Sequence, residues 1–110
     1  MAPTVRPAGP GDLLGVLRVH ERDPSLGPSG VTDRQRATWD RMMAAEGLTV
    51  YVACDGGEAV GVVSLQTMPN LGYDCRPSAV LEAMVVAEAH RRRAVGFTAG
   101  AEGFRLYLDR

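Results

Sequence analysis

The chain has 110 residues, enough for one domain around a single core of ordinary size. A formal net charge of −1 argues against broad affinity for nucleic acid or an anionic membrane surface. No apolar run approaches the ~20 residues of a membrane span, and Met1 to Pro7 holds no apolar signal core, so a cytoplasmic protein is expected.

Taken in chain order, Thr4 to Arg6 reads as a short strand stopped by Pro7, and Ala8-Gly9-Pro10-Gly11 as a turn. Asp12 can cap a first helix whose buried stripe is Leu13, Val16, Leu17 and His20. Asp23-Pro24 ends that helix, and Ser25 to Gly30 is a loop. Thr32-Asp33-Arg34-Gln35 fits a capping box, in which threonine and glutamine satisfy each other's backbone donors. It opens a second helix carrying Trp39, Met42 and Met43, residues suited to core packing or, less commonly, to substrate contact. Gly47 is the expected helix stop.

Thr49 to Cys54 and Val60 to Gln66 read as antiparallel strands joined at Asp55-Gly56-Gly57. Met68 to Pro77 is a loop. Ala79 to Val86 is a third strand of this region, and its near-continuous apolar run predicts burial on both faces, as in the parallel part of a sheet. Phe104 to Leu108 alternates and reads as a last strand. Cys54 and Cys75 lack metal-ligand spacing and are read as reduced structural thiols. All basic residues are arginine, and lysine is absent.

Chemistry concentrates between Arg76 and Gly96. The strand Leu81-Glu82-Ala83-Met84-Val85-Val86 is followed by Ala87-Glu88-Ala89-His90 and then Arg91-x-x-Ala94-x-Gly96. Consecutive main-chain N–H groups in a small-residue loop at a helix start can bind a diphosphate, and arginines at its rim add charge-assisted contacts. Arg91, Arg92 and Arg93 in isolation would read first as a solvated basic turn; their place directly after the strand favours the phosphate loop. Glu82 is one carboxylate inside an apolar strand. Burial there would raise its pKa and suit it to general base work; the alternative is an open position or a pair with Arg76.

This order of strand, turn and Arg-x-x-small-x-Gly resembles motif A of the GCN5-related N-acetyltransferases (GNAT), with Ala94 in place of the first motif glycine. The resemblance runs from Val5 to about Arg92 and again from about Gly96. It implies an α/β (α+β) acyl-CoA acyltransferase fold, with a mixed, mostly antiparallel sheet splayed at the central strand and helices on both faces. It also implies an N-acetyltransferase that moves acetyl from acetyl-CoA to a primary amine of a small-molecule acceptor. On that resemblance Met84, Val85 and Val86 would pair with the pantetheine arm. Arg91, Arg92, Arg93, Ala94 and Gly96 would hold the pyrophosphate, and Glu82 would remove the ammonium proton. No metal, nucleic acid or membrane partner is implied, and a homodimer is compatible with it. A non-catalytic acyl-CoA-binding domain of the same fold and a small α+β interaction module are the alternative readings. His20 is expected to pack on its helix, His90 to lie at the surface, and Tyr107 to be a strand residue rather than the general acid.

The resemblance breaks after the phosphate loop. Gly96-Phe97 and the residues after it resemble the family's final hairpin, and Arg93 to Gly96 fits either the phosphate loop or the helix end before Gly-Phe. A parallel neighbour for the strand ending at Val86 needs a crossover of a dozen or more residues, and none with a helical stripe lies before Phe104. We therefore expect residues 1–110 to form one domain with an internal gap near 91–96, where a helix, a strand and a helix of roughly 35–45 residues are missing. With such a gap, Arg91 and Arg92 belong to the phosphate loop while Ala94 and Gly96 do not.

Overall fold

The computed structural model describes residues 3–87. The expected gap, the phosphate loop from Arg91 to Gly96 and the strand from Phe104 to Leu108 lie outside the described residues.

Within residues 3–87 the elements run β1 (Thr4–Pro7), α1 (Leu13–His20), α2 (Asp33–Ala44), β2 (Leu48–Asp55), β3 (Glu58–Met68), a one-turn α3 (Gly72–Cys75) with positive φ at Tyr73, Asp74 and Cys75 inside the expected loop, and β4 (Ser78–Val86), with 3-10 turns at Pro10–Asp12 and Pro28–Gly30. The strands form one sheet in the order β1-β2-β3-β4, and every pair is antiparallel. No helix among the described residues is long and apolar enough to cross a membrane.

Local chemistry explains most of these elements. Thr32 Oγ1 accepts from the Gln35 N–H at 3.0 Å and the Gln35 side chain accepts from the Thr32 N–H at 2.9 Å, so the expected capping box starts α2. Gly56 and Gly57 take φ of +61° and +84°, the pair of positive values that a two-residue hairpin between right-twisted strands requires. Trp39 is buried and its indole N–H donates to the Pro10 carbonyl at 3.1 Å, which ties α2 to the turn before α1.

Four expectations change. Asp12 stands at the start of α1, but its carboxylate makes no cap there. It accepts from the Gly9 N–H at 2.6 Å and pairs with the Arg6 guanidinium, because the fork geometry of a nearby arginine outcompetes a lone helix N–H. The buried residues of α1 are Val16 and Val19, while Leu13 and Leu17 are half-buried and His20 is exposed. Gly15 is the reason. An added Cβ there would lie 3.1 Å from the Ala59 Cβ, so α1 turns its 15/16/19 edge onto β3 at close approach. Gly47 does not stop α2, which ends at Ala44. Its φ of +80° shapes the entry to β2, where its carbonyl accepts from the Thr67 N–H at 2.8 Å. Finally, β4 is not buried on both faces: of its nine residues only Val86 is buried.

The sheet separates two apolar clusters. Val50, Val52 and Val62 pack with Val16, Val19 and Trp39 on the face that carries α1 and α2. Tyr51, Ala53, Val63, Leu65 and Val86 form the cluster on the opposite face. One irregularity in β3 sets this division at the hairpin end. Val60 is an extra residue between the pairs Ala53–Gly61 and Cys54–Ala59, so Ala59 turns to the helices and Val60 to the other face.

Candidate active site

The candidate site is built on β4. From Ser78 to Glu82 the strand pairs regularly with β3, Glu82 standing opposite Ser64 and Leu81 opposite Leu65. From Val85 it pairs again, Val85 with Val62 and Val86 with Gly61. Between these blocks β3 contributes only Val63, whereas β4 contributes Ala83 and Met84. Two residues against one is a β-bulge, and Ala83 adopts a φ of +52° to make it.

The bulge changes which side chains face which way. Ala79 and Leu81 pack toward the Tyr51 cluster, but Val85, four residues after Leu81, packs toward the helices. A regular strand would keep residues four apart on one face. Glu82, next to Leu81 and opposite Ser64, falls on the helix side of the sheet. It lies beyond the cover of α1, which packs on β3 and meets β4 only through residues such as Val85.

The expected site residues therefore have different environments. Glu82 is exposed rather than buried, and among the described residues it makes no ion pair with Arg76 or any other cation. Met84 is 44% exposed, Val85 half-buried against the helix-side cluster, and Val86 buried on the opposite face. Arg91, Arg92, Arg93, Ala94 and Gly96 lie outside the described residues. The strand exit is anchored: the Ala87 N–H donates to the carbonyl of the bulged Val60 at 2.7 Å.

Neither Ala83 nor Ser64 is singled out by sequence reasoning. Alanine carries no signal for positive φ, and the cross-strand partner of Glu82 depends on a register that the bulge resets. The arrangement is chemically specific. A bulge withholds main-chain groups from the ladder and leaves Ala83 and Met84 open beside a carboxylate. An extended, amide-bearing ligand can add to such a strand by main-chain hydrogen bonds. The pantetheine arm of an acyl-CoA is a ligand of that kind, so the described residues fit it.

The helix side is held in place by charge. Arg6 and Asp12 form the ion pair of the described residues, at 2.8 and 2.9 Å. The Arg6 hydrogen bonds, followed by that of the Gly9 N–H, hold the Asp12 carboxyl below the usual carboxylate range against an opposing effect of burial. Partial burial lowers the His20 pKa, and Glu21 opposes it weakly. A groove of about 700 Å³ lies along α1 beside Ala87, with Arg18 and Arg22 among its lining residues. Cys54 and Cys75 are free thiols, the first half-buried and the second exposed.

Comparison with known proteins places this architecture. The model of the Acetyltransferase (GNAT) family matches residues 12–102. A protein from Agrobacterium tumefaciens str. C58 that is named as an acetyltransferase is 34% identical, with a TM-score of 0.79 over 96% of this chain and 74% of its own. Two others share the fold: glucosamine-6-phosphate N-acetyltransferase from Arabidopsis thaliana, at 14% identity, and AAC(6')-Iy in complex with the bisubstrate analog CoA-S-monomethyl-acetylneamine, at 19%. Each has a TM-score of 0.69 over 99% of this chain and 74% of its own. A search of the curated proteins finds no match. The chain belongs to the GNAT acetyltransferase family, whose members use acetyl-CoA, and its fold is the α+β fold of that family.

Proposed function

We propose that the protein transfers the acetyl group of acetyl-CoA to a primary amine of a small-molecule acceptor by direct attack. The observation that carries the proposal is the bulge of β4, where Ala83 and Met84 stand open next to Glu82. Support for an amine acceptor comes from a fold neighbour named as a glucosamine-6-phosphate N-acetyltransferase.

When bound, acetyl-CoA supplies the activated thioester. The main chain of Met84, Val85 and Val86 orients its pantetheine arm along β4. Arg91 and Arg92 hold the diphosphate. A main-chain N–H of Met84 or Val85 would be the donor to the thioester carbonyl oxygen and would stabilise negative charge there. Glu82 receives the proton of the acceptor ammonium through water, which frees the amine lone pair for attack. Glu82 is exposed, so water reaches its carboxylate directly.

Thiol release from acetyl-CoA across a panel of small primary amines tests the proposal. Turnover is expected with at least one amine. Glu82→Gln should lower kcat about a hundredfold or more at pH 7 while leaving the KM for acetyl-CoA within a few-fold. Equal turnover of parent and variant at pH 7 and pH 9 would remove Glu82 from the mechanism, and absence of thiol release with every amine would count against transfer itself.

A further inference from the structure

Ser64 has no role in the preceding account, yet its position is unusual. It is the one polar residue in the run Val60 to Leu65 of β3, flanked by the buried Val63 and Leu65. Across the sheet it stands directly opposite Glu82, in the last regular pair before the bulge. Residues so paired have Cβ atoms about 4.5–5.5 Å apart and share a face. On its other side Ser64 pairs with Val50, which is buried in the helix-side cluster, so the hydroxyl and the carboxylate both belong to the helix side of the sheet. Among the described residues neither the Ser64 hydroxyl nor the Glu82 carboxylate has a hydrogen-bond or ion-pair partner.

The half-buried Ser64 hydroxyl, beside an exposed carboxylate, is within reach of water and free to hold one. One water between the two side chains satisfies it and completes a path for the proton. We infer that Ser64 is a positioning residue: its hydroxyl and the Glu82 carboxylate hold one water between them, and this water carries the ammonium proton to Glu82. The inference rests on the reading of Glu82 as the base. The step balances. The water accepts a proton from R–NH3+ and passes one of its own to the carboxylate, giving R–NH2 and the neutral acid. The water's other hydrogen stays bonded to its oxygen and donates to Ser64 Oγ, which fixes the water's direction and is not consumed. The bulge matters here because the regular ladder ends at Glu82, so that the paired Ser64–Glu82 position borders the opening at Ala83 and Met84.

The test needs no identified acceptor. The protein is made with carboxyl-13C glutamate, and the Glu82 carboxyl, assigned by its loss in Glu82→Gln, is titrated by NMR in parent, Ser64→Ala and Ser64→Thr. Loss of the ordered water should raise the Glu82 midpoint in Ser64→Ala by about half a pH unit, and Ser64→Thr, which keeps the hydroxyl, should restore it. Coincident curves for parent and Ser64→Ala overturn the inference; so does a shift in Ser64→Thr as large as that in Ser64→Ala, since the hydroxyl is then not the cause. Where an amine turns over, Ser64→Ala should lower kcat about tenfold at pH 7 with recovery toward pH 9, as the free amine ceases to need a relay. A loss of equal size at both pH values would mark a structural role and overturn the inference. If Glu82→Gln is impaired and Ser64→Ala is normal, only Ser64 is removed. If Glu82→Gln is itself normal, the base reading fails and takes Ser64 with it.

Discussion

Asp12 joins the end of β1 to the start of α1, through Arg6 on one side and the Gly9 N–H on the other. Its folded pKa lies below the unfolded value, so the folded state gives up this proton more readily. The stability that follows is fully present above the unfolded carboxylate value of about 3.9 and is lost as pH falls through the lower folded value. Arg6 is half-exposed, so solvent screens the pair and its worth is roughly 0.5–1 kcal/mol. Asp12→Asn should cost about that much near pH 7 and make the denaturation midpoint less sensitive to pH below about 4. Parallel acid limbs for parent and variant in urea titrations would show that Asp12 does not carry this dependence.

At the scale of elements, the bulge of β4 decides the outcome. Ala83 holds a left-handed φ, which costs an L-residue roughly 1 kcal/mol or more. Ala83→Gly should relieve that cost, raise stability by up to about 1 kcal/mol and keep acetyl-CoA affinity. Ala83→Val, branched at Cβ, opposes the left-handed conformation and favours a regular ladder that would slip Glu82 and Met84 to other faces. Its affinity for acetyl-CoA should fall at least tenfold by calorimetry, whereas equal binding by both variants would separate the bulge from the site. The same element shows what the amino-acid pattern can express. The capping box at Thr32, the hairpin at Gly56-Gly57 and the strands β1 to β3 were legible because side chains of those residues act within a few positions of themselves. Glu82 was legible as a lone carboxylate in an apolar strand. Its exposure, its partner Ser64 and the inversion after Leu81 were not, because they depend on one backbone dihedral and a register across two strands. The apolar run of β4 predicted two-sided burial, but an apolar strand lying partly beyond its helices has the same composition.

For the whole molecule, β4 closes one side of the four-stranded sheet, and α1 and α2 lie on one face. The match to the Agrobacterium tumefaciens protein covers 96% of this chain but 74% of the other. We propose that an internal helix, strand and helix between about Arg92 and Gly96 account for much of that difference. On mean element lengths the intact gene product should then exceed 11.7 kDa by roughly 4–5 kDa in a mass spectrum, and a measured mass of 11.7 kDa would exclude the missing segment.

Every step assigned to the site needs the main chain of β4 to meet the coenzyme at the bulge. The most direct measurement follows the backbone amides of the 15N-labelled protein by NMR as acetyl-CoA is added. Shifts concentrated at Ala83, Met84 and Val85, with β1 unmoved, are the predicted result. Saturable binding that leaves those three amides where they were, or no binding at millimolar acetyl-CoA, would contradict it.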